Sequence, residues 1–327
     1  MRAVMITQIG GPETLKITDV PVPEPGEGQV RIRVAYCALN PLDTHSRAGR
    51  IKWGVPPLPF VSGYEYAGRI DKVGAGVDAA LVGKRVASAG TWGGCADYAV
   101  APAKGLVHIP DGMNWQLGTV YFTSTLTAWH MLHTQARMSK GDAVLVHSAA
   151  GAVGVMTTQI AKDAGGMVIG LVGSAAKADY AKSFGCDHVL NEKDDADWPK
   201  KVKELTGGKG ADIIIDGNAG PSAPKNLACL APLGQVIYIG AMAGQAPDVN
   251  ISQLIAGSHG VRGLVVYHAM AKTKGAEFKE IHEKLLSGTW RFPLNPPLPL
   301  ESIAKAHDDF ENRRTMGRTI FTVGGDI

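Results

Sequence analysis

The sequence predicts an α/β protein in which a β-rich, barrel-like region precedes a doubly wound parallel sheet. Its 327 residues are enough for two cores at about 150 residues per domain. Residues 2 to about 110 contain short β-rich runs separated by Gly and Pro, which is typical of an all-β domain. After Asp111, apolar runs alternate with helical segments, which is the pattern of successive βαβ units.

The elements follow from these patterns in chain order. The strands predicted in the β-rich region are residues 2–7, 15–20, 29–36 and 67–73. The strands predicted in the second region are 143–147, 167–172, 188–190, 211–215, 235–239 and 261–266, all apolar enough to be buried on both faces. Helices are expected between them at 152–164, 175–184, 198–205, 221–230 and 251–256. The tail should add helices at 276–287 and 303–310 and a strand at 318–323, and fold back onto the first region.

Composition and charge exclude several classes of protein. Hydrophobic residues make up 45% and charged residues 19%, so the chain is globular. The 33 basic and 30 acidic residues are spread along the chain, and no basic block indicates nucleic-acid binding. No run reaches the roughly 18 apolar residues of a membrane helix, and the N-terminal residues do not resemble a secretory signal. We therefore expect a cytoplasmic protein that binds neither nucleic acid nor membrane.

The cysteines and histidines do not predict a metal site. Cys37, Cys95, Cys186 and Cys229 are far apart and form no CxxC, which argues against a disulfide framework and a structural zinc site. None of the ten histidines stands at ligand spacing from a cysteine. We expect His147, within the first strand of the second region, to be a packed strand residue.

A turn of small residues after that strand predicts a dinucleotide site. Ala149, Gly151 and Gly154 occupy the G-x-G-x-x-G spacing, with Ala in the first place. A pyrophosphate must approach backbone N–H groups at a helix N-terminus, and a side chain larger than methyl would hold it away. An ordinary tight turn has the same spacing, but its place at the first strand of a βα series favours the dinucleotide. The binding residues predicted at this turn are Ala150, Gly151, Ala152, Val153 and Gly154.

The end of the next strand bears on the choice between NAD and NADP. An NAD site has an acid about 20 residues beyond the glycine loop, and residues 171–174 contain none. Gly173 is followed by Ser174, and Lys177 comes soon after, so a hydroxyl and an ammonium group would meet a 2′-phosphate. The alternative is that Ser174 only caps a helix and Lys177 is solvated. NADP is favoured.

Motifs distributed along the chain carry a family resemblance. They are Asn40-Pro41-Leu42-Asp43, Gly63-Tyr64-Glu65, Gly83-Lys84-Arg85-Val86, the glycine loop, and Gln159 with Lys162. In this combination they resemble the zinc-free quinone oxidoreductase branch of the medium-chain dehydrogenase/reductase superfamily, the branch that includes zeta-crystallin. The resemblance implies a GroES-like catalytic domain at 1–115, a Rossmann NADP-binding domain at 116–268 and a C-terminal return to the catalytic domain at 269–327. It also implies NADPH between the domains and a homodimer paired near residues 261–266.

The resemblance and the strand ends together extend the predicted site. Further cofactor contacts are expected from Asn40, Thr127 and Asn218, from Gly240, Ala241 and Met242, from Leu264, Val265 and Val266, and from Arg313 in an ExR motif beside the 2′-phosphate. Glu192 stands where the branch often has a tyrosine beside the adenosine phosphate. An acid there would weaken the preference for NADPH unless Lys177 or Arg313 compensates.

Departures from the family bear on the chemistry. Zinc alcohol dehydrogenases have Cys and His ligands where this chain has Asn40 and Tyr64, and both residues are poor zinc ligands. Enoyl-thioester reductases are expected to use a tyrosine at the position of Ile51, and branch members often have a tyrosine where this chain has His45. An imidazole there could contact the nicotinamide ribose, donate a proton, or be a loop residue without function.

These residues predict an NADPH-dependent reductase of quinones that needs no metal, with Asn40 and His45 as the catalytic candidates. An enone, alkenal or enoyl-thioester reductase is one alternative. A non-catalytic NADPH-binding sensor or structural protein is another, and cofactor binding without turnover would distinguish it.

Overall fold

The structure, a computed structural model, describes residues 1–245 and 248–327, and the chain divides into two units. The first contains Met1–Phe122 and Leu294–Ile327, and the second contains Thr123–Pro293. The sequence-based division differs, because it groups residues 269–293 with the tail. Gln159 explains the difference, since its side-chain amide accepts from Arg291 N at 2.7 Å and donates to Arg291 O at 2.9 Å. These bonds attach the segment to the second unit.

The first unit is built mainly of antiparallel strands. Its strands are β1 (Arg2–Ile6), β2 (Leu15–Asp19), β3 (Gln29–Ala38), β4 (Phe60–Val61), β5 (Glu65–Val73), β6 (Arg85–Ala89), β7 (Tyr98–Pro102), β8 (Val107–His108), β15 (Leu298–Pro299) and β16 (Ile320–Thr322). Its helices are α1 (Pro41–Arg47) and α10 (Ile303–Glu311). The strands form one sheet of order β2-β1-β4 and another of order β15-β16-β3-β5-β6-β8, with β7 also paired to β3.

Alternating apolar residues of β3 form the centre of the first unit. Val30, Ile32 and Val34 are fully buried and pack with Phe321 of β16 and Ile303 of α10. The long β3 ends directly before α1, so the buried sheet fixes the place where that helix begins.

The second unit contains a parallel sheet of order β11-β10-β9-β12-β13-β14. The strands are β9 (Ala143–His147), β10 (Met167–Val172), β11 (His188–Asn191), β12 (Ala211–Asp216), β13 (Leu230–Tyr238) and β14 (Gly260–Gly263). The helices are α3 (Ala152–Asp163), α4 (Ala175–Ser183), α5 (Trp198–Leu205), α6 (Pro224–Ala228), α7 (Ile251–Gly257), α8 (Val266–Thr273) and α9 (Phe278–Leu286). Before the sheet comes α2 (Trp115–His130), within which the chain passes from the first unit to the second, and then a π-helix (Met131–Ala136).

This architecture confirms the predicted fold class, a β-rich domain with a doubly wound parallel sheet. Two local differences have physical reasons. The last strand of the sheet ends at Gly263 rather than 266, because Val266 already begins α8. The sequence did not predict α2, whose WQLGTVYFTSTLTAWH is rich in residues that favour strands. In the described ranges no helix is long and apolar enough to span a membrane.

Candidate cofactor and substrate sites

The glycine loop lies between β9 and α3. Gly151 is the N-cap of the twelve-residue α3, and none of the described side chains caps this helix. Its first backbone N–H groups have no partner within the helix and carry the positive end of its dipole. Ser148, the first loop residue, has a left-handed φ of 52°. Its carbonyl oxygen accepts from Gly151 N at 2.8 Å, which closes the turn.

Two glycines of the loop meet different surroundings. A Cβ on Gly154 would lie 2.5 Å from Ser148 O and 2.8 Å from Ala149 Cα, so the loop itself requires glycine there. A Cβ on Gly151 would meet only Ser148 O, at 3.3 Å. The small residues therefore leave the uncapped helix end accessible to an anion. This cradle fits the pyrophosphate of a dinucleotide.

The carboxyl ends of the strands bring many of the predicted cofactor residues to one edge of the sheet. Glu192 N donates to Val172 O at 2.8 Å, which joins the ends of β11 and β10. Met242 N donates to Gly217 O at 3.3 Å, and Leu264 N donates to Tyr238 O at 2.9 Å. The edge thus holds Gly173, Ser174, Glu192, Asn218, Gly240, Ala241, Met242, Leu264, Val265 and Val266, beside the loop residues Ala150, Gly151, Ala152, Val153 and Gly154. Ligands of doubly wound sheets bind at this edge.

The end of β10 combines a hydroxyl, a basic side chain and an acid. Ser174 is the N-cap of α4 and accepts from Lys177 N at 3.4 Å, so the helix-cap role is present. A Cβ on Gly173 would lie 3.7 Å from a carboxylate oxygen of Glu192. Glu192, the acid that follows β11, therefore stands beside the end of β10, where the sequence of β10 and its turn contains no acid.

Asn40 is held at both ends of its side chain in the first unit. It is the N-cap of α1, where its Oδ1 accepts from Leu42 N at 3.1 Å. Its Nδ2 lies 3.4 Å from a Glu65 carboxylate oxygen, and Arg318 forms an ion pair with that same oxygen. Asn40 is only 6% exposed. The sequence did not single out this pair of buried charges, although Glu65 belongs to a motif it identified.

Asp43 completes the capping box of α1 from a buried position. Its carboxylate accepts from Asn40 N at 2.8 Å and from Tyr64 N at 3.0 Å. Burial raises the pKa of Asp43 to about 6, although backbone hydrogen bonds and the charge of Arg318 oppose the shift. The carboxylate thus connects the start of α1 with the segment that contains Tyr64.

His45 lies on α1 and is half-buried. Burial lowers its pKa below the usual 6.5, and Arg50 adds to this effect while Glu311 opposes it. The imidazole is therefore mostly neutral at pH 7. A neutral imidazole can still donate or accept a hydrogen bond.

The remaining predicted residues are Thr127, on α2, and Arg313, just after α10. Thr127 is half-buried in α2. Arg313 follows α10 in the first unit, is exposed, and has a left-handed φ of 56°. Glu311 of the same ExR motif pairs with Arg47 and lies 3.7 Å from Arg50. Among residues 1–245 and 248–327, no group of three or more His, Cys, Asp and Glu side chains is arranged to hold a metal.

Comparison with known proteins relates both units to one family. The profile described as "Alcohol dehydrogenase GroES-like domain" matches residues 26–111, and that described as "Zinc-binding dehydrogenase" matches residues 152–286. The range matched by the second profile contains neither Asn40 nor Tyr64.

Individual relatives cover nearly the whole chain. A quinone oxidoreductase of Rattus norvegicus is 33% identical over 98% of this chain and 97% of that protein. A 2-haloacrylate reductase of a Burkholderia species is 31% identical over 97% of this chain and 98% of that protein. The structure of Escherichia coli quinone oxidoreductase complexed with NADPH matches with a TM-score of 0.92 and 27% identity, over 99% of this chain and 100% of that chain. The chain therefore belongs to the medium-chain dehydrogenase/reductase family, in its quinone oxidoreductase-like branch.

Proposed function

We propose that this protein is an NADPH-dependent reductase that transfers a hydride to a quinone and needs no metal ion. The observation that carries the proposal is the uncapped N-terminus of α3, reached across Gly151 at the carboxyl edge of a doubly wound sheet. The solved E. coli relative, which is complexed with NADPH, supports the choice of cofactor.

Binding would be shared among the strand ends. The backbone N–H groups of Ala152 and Val153 would donate to the pyrophosphate, because no side chain in the described part of the chain caps them. Lys177 and Arg313 would neutralise the 2′-phosphate, and Ser174 would donate a hydrogen bond to it. Thr127, Asn218 and the residues after β13 and β14 would orient the nicotinamide half. Bound NADPH would supply the hydride.

The chain's own part in the reaction is to orient the cofactor and the substrate. Asn40 cannot turn freely, since both ends of its amide are engaged, so it would present a fixed surface to the nicotinamide ribose or the substrate. His45 is mostly neutral at pH 7 and would orient the substrate through a hydrogen bond. A reduced quinone oxygen can take its proton from water, so this reaction needs no strong acid.

Metal independence is proposed on the chemistry of the donors. Zinc in this family's alcohol dehydrogenases needs a thiolate and an imidazole, and this chain offers the amide of Asn40 and the phenol of Tyr64. The amide oxygen of Asn40 already accepts from Leu42 N.

Reduction of an activated alkene is the second candidate. The relative named 2-haloacrylate reductase, similar over nearly the full length of this chain, favours it. That chemistry needs a proton at carbon, and His45 would then have to supply it in its charged form.

A substrate screen separates these possibilities. The protein would be mixed with NADPH or NADH and a panel of quinones, alkenals, 2-haloacrylate and enoyl thioesters, with and without a chelator. We expect oxidation of NADPH by quinones, unaffected by the chelator. Turnover confined to the alkenes would favour the second candidate, and NADPH binding without any turnover would favour a non-catalytic role. About one zinc per chain by elemental analysis, with activity lost to the chelator, would contradict metal independence.

We also propose that the protein forms a homodimer. The strand β14 is at the edge of its sheet, and nearby Ile251, Ile255 and Val261 expose 62%, 73% and 39% of their surface. Such an edge with apolar neighbours favours pairing with a second copy. Sedimentation should give a species of twice 34.4 kDa, and a monomer at micromolar concentration would contradict the proposal. A cytoplasmic location stays a prediction from the sequence.

A further inference from the structure

A chain of buried polar side chains connects the ends of two strands in the second unit. His147 ends β9, Asp216 ends β12, and Asn226 lies in α6. His147 Nε2 is 2.7 Å from Asn226 Oδ1, and Asn226 Nδ2 is 2.9 Å from Asp216 Oδ2. Asp216 and Asn226 are fully buried, and His147 is nearly so, with its ring edge-on to Trp198. A buried carboxylate is costly unless its hydrogen bonds are satisfied, so the arrangement requires a reason.

The positions of the protons follow from the partners. A carboxylate can only accept, so Asn226 turns its NH₂ group toward Asp216. The second hydrogen of that NH₂ group is directed toward the Tyr238 hydroxyl at 3.4 Å. The carbonyl oxygen of Asn226 then faces His147, which must carry a proton on Nε2.

The other carboxylate oxygen of Asp216 holds the turn after β12. It accepts from Asn218 N at 2.7 Å and from Ala219 N at 3.0 Å. Ala219 and Gly220 both have left-handed φ values, 50° and 68°, and a side chain at Gly220 would collide with Ala243. A conformation of this kind persists only where its surroundings enforce it. The two hydrogen bonds that Asp216 accepts from Asn218 N and Ala219 N hold the turn in this conformation.

The turn after β12 also holds the glycine loop, through Asn218. Asn218 places its Nδ2 2.9 Å from the hydroxyl oxygen of Ser148. Ser148 has a left-handed φ, and its carbonyl oxygen both closes the turn to Gly151 and abuts Gly154. Fixing Ser148 therefore fixes the course of the loop in front of α3.

We infer that Asp216 is a positioning residue for the cofactor, because with Asn226 and His147 it holds Asn218 against Ser148 and so sets the glycine loop before the cofactor binds. The inference rests on the proposed function, in which the loop holds the pyrophosphate of NADPH. A loop that is ordered beforehand loses less conformational entropy on binding. His147 thus has a role beyond the packing that the sequence predicts for it.

The substitution Asp216→Asn tests this role without removing the buried group. An amide can be accommodated if Asn226 turns over and the proton of His147 moves from Nε2 to Nδ1, so the protein should still fold. Nitrogen-15 NMR of the imidazole should report that change of tautomer. Backbone N–H groups of Asn218 and Ala219 should exchange faster in the free protein, since they lose a charged acceptor. The Kd for NADPH, measured by fluorescence, should rise about tenfold.

Two comparisons make the result specific. Asp212→Asn is the matched control, because Asp212 lies on the same strand at its opposite end and accepts from Ala143 N at 2.9 Å. It should leave the Kd for NADPH within about twofold of the wild-type value. The probe 2′,5′-ADP contains the adenosine half of the cofactor with one 5′-phosphate in place of the pyrophosphate, so Asp216→Asn should weaken its binding less than that of NADPH.

The outcomes are distinguishable. A folded Asp216→Asn protein that binds NADPH like the wild type would overturn the inference, as would equal weakening of NADPH and 2′,5′-ADP. Wild-type protein that binds neither ligand would instead overturn the proposed function on which the inference rests.

Discussion

Replacing Gly154 by alanine should lower the free energy of unfolding of the second unit, although alanine is the better helix former. Gly154 lies in the first turn of α3, where exchanging an interior glycine for alanine stabilises a helix by about 1 kcal/mol when space allows. Space does not allow it, since the added methyl would lie 2.5 Å from Ser148 O and 2.8 Å from Ala149 Cα. Both are backbone atoms and cannot rotate away.

The magnitude follows from how far the loop must move. An ordinary contact is about 3.4 Å or longer, so Ser148 would have to retreat by nearly 1 Å. Overpacking of this kind typically costs about 1 to 3 kcal/mol. Because the clashing atoms belong to the backbone, the cost should lie in the upper part of this range, at about 2 to 3 kcal/mol, and the helix preference of alanine offsets about 1 kcal/mol of it. We therefore expect a net loss of about 1 to 2 kcal/mol for Gly154→Ala, measured by urea unfolding without cofactor.

Gly151→Val is the companion variant and should behave in the opposite way. A side chain at Gly151 meets one atom at 3.3 Å, and its extended backbone (φ −84°, ψ 165°) suits any residue. Its free energy of unfolding should stay within about 1 kcal/mol of the wild-type value, as for a change of N-cap. Binding of NADPH should be abolished, because the branched side chain blocks the uncapped helix end. Gly154→Ala protein as stable as the wild type, or a folded Gly151→Val protein with undiminished affinity, would refute this account of the loop.

Three further predictions follow from the charged and titratable groups. Between about pH 4 and 6 folded Asp43 holds a proton that the unfolded chain has lost, so the free energy of unfolding should fall by about 3 kcal/mol as pH rises through this range. Asp43→Asn should flatten this dependence in urea titrations at several pH values, and an unchanged slope would contradict it. Lys177→Ala should weaken NADPH binding by about 1.5 to 3 kcal/mol and NADH binding hardly at all. Glu192→Gln should strengthen NADPH binding, because it removes a negative charge close to the negatively charged 2′-phosphate. Calorimetry with both cofactors checks this, and equal changes for the two would assign the residues to the shared part of the ligand. His45→Phe should keep quinone reduction within about tenfold, with kcat independent of pH above 7. If an alkene is the true substrate, the variant should lose about 100-fold or more, and wild-type kcat should fall as pH rises through the lowered pKa of His45.

Local patterns in the sequence predict most of the second unit. Continuous apolar runs such as AVLVH and ADIIID gave strands with almost their observed bounds, because burial on both faces leaves a strong signal. The helix α2 escaped prediction because its side chains favour strands, and tertiary packing overrides that preference.

In the candidate site too, features formed by residues close in the sequence were predicted, and contacts between residues far apart in it were not. The glycine spacing and the helix cap at Ser174 depend on residues that are neighbours in the chain, so the sequence predicted both. Other contacts join residues that meet only after folding: Asn40 with Glu65, Glu65 with Arg318, and Asp216 with Asn226. The acid at the end of the run ADIIID is a hydrogen-bond acceptor that the sequence shows, but nothing in the sequence indicated Asn226 as its partner.

The first unit is assembled from both ends of the chain, and this has a consequence for synthesis. Residues 294–327 supply β16, which pairs with β3, and Asp326, whose carboxylate accepts from Tyr36 across 290 positions of sequence. The second unit is continuous, so it can fold on the ribosome while the first still lacks a strand. Until residues 320–322 emerge, Tyr36–Ala38 at the end of β3 lack their partner strand β16, whereas Gln29–Arg33 are already paired with β7. The growing chain therefore carries the end of β3 unpaired on one edge through the synthesis of the whole second unit, and this is the stage at which a chaperone has most to protect.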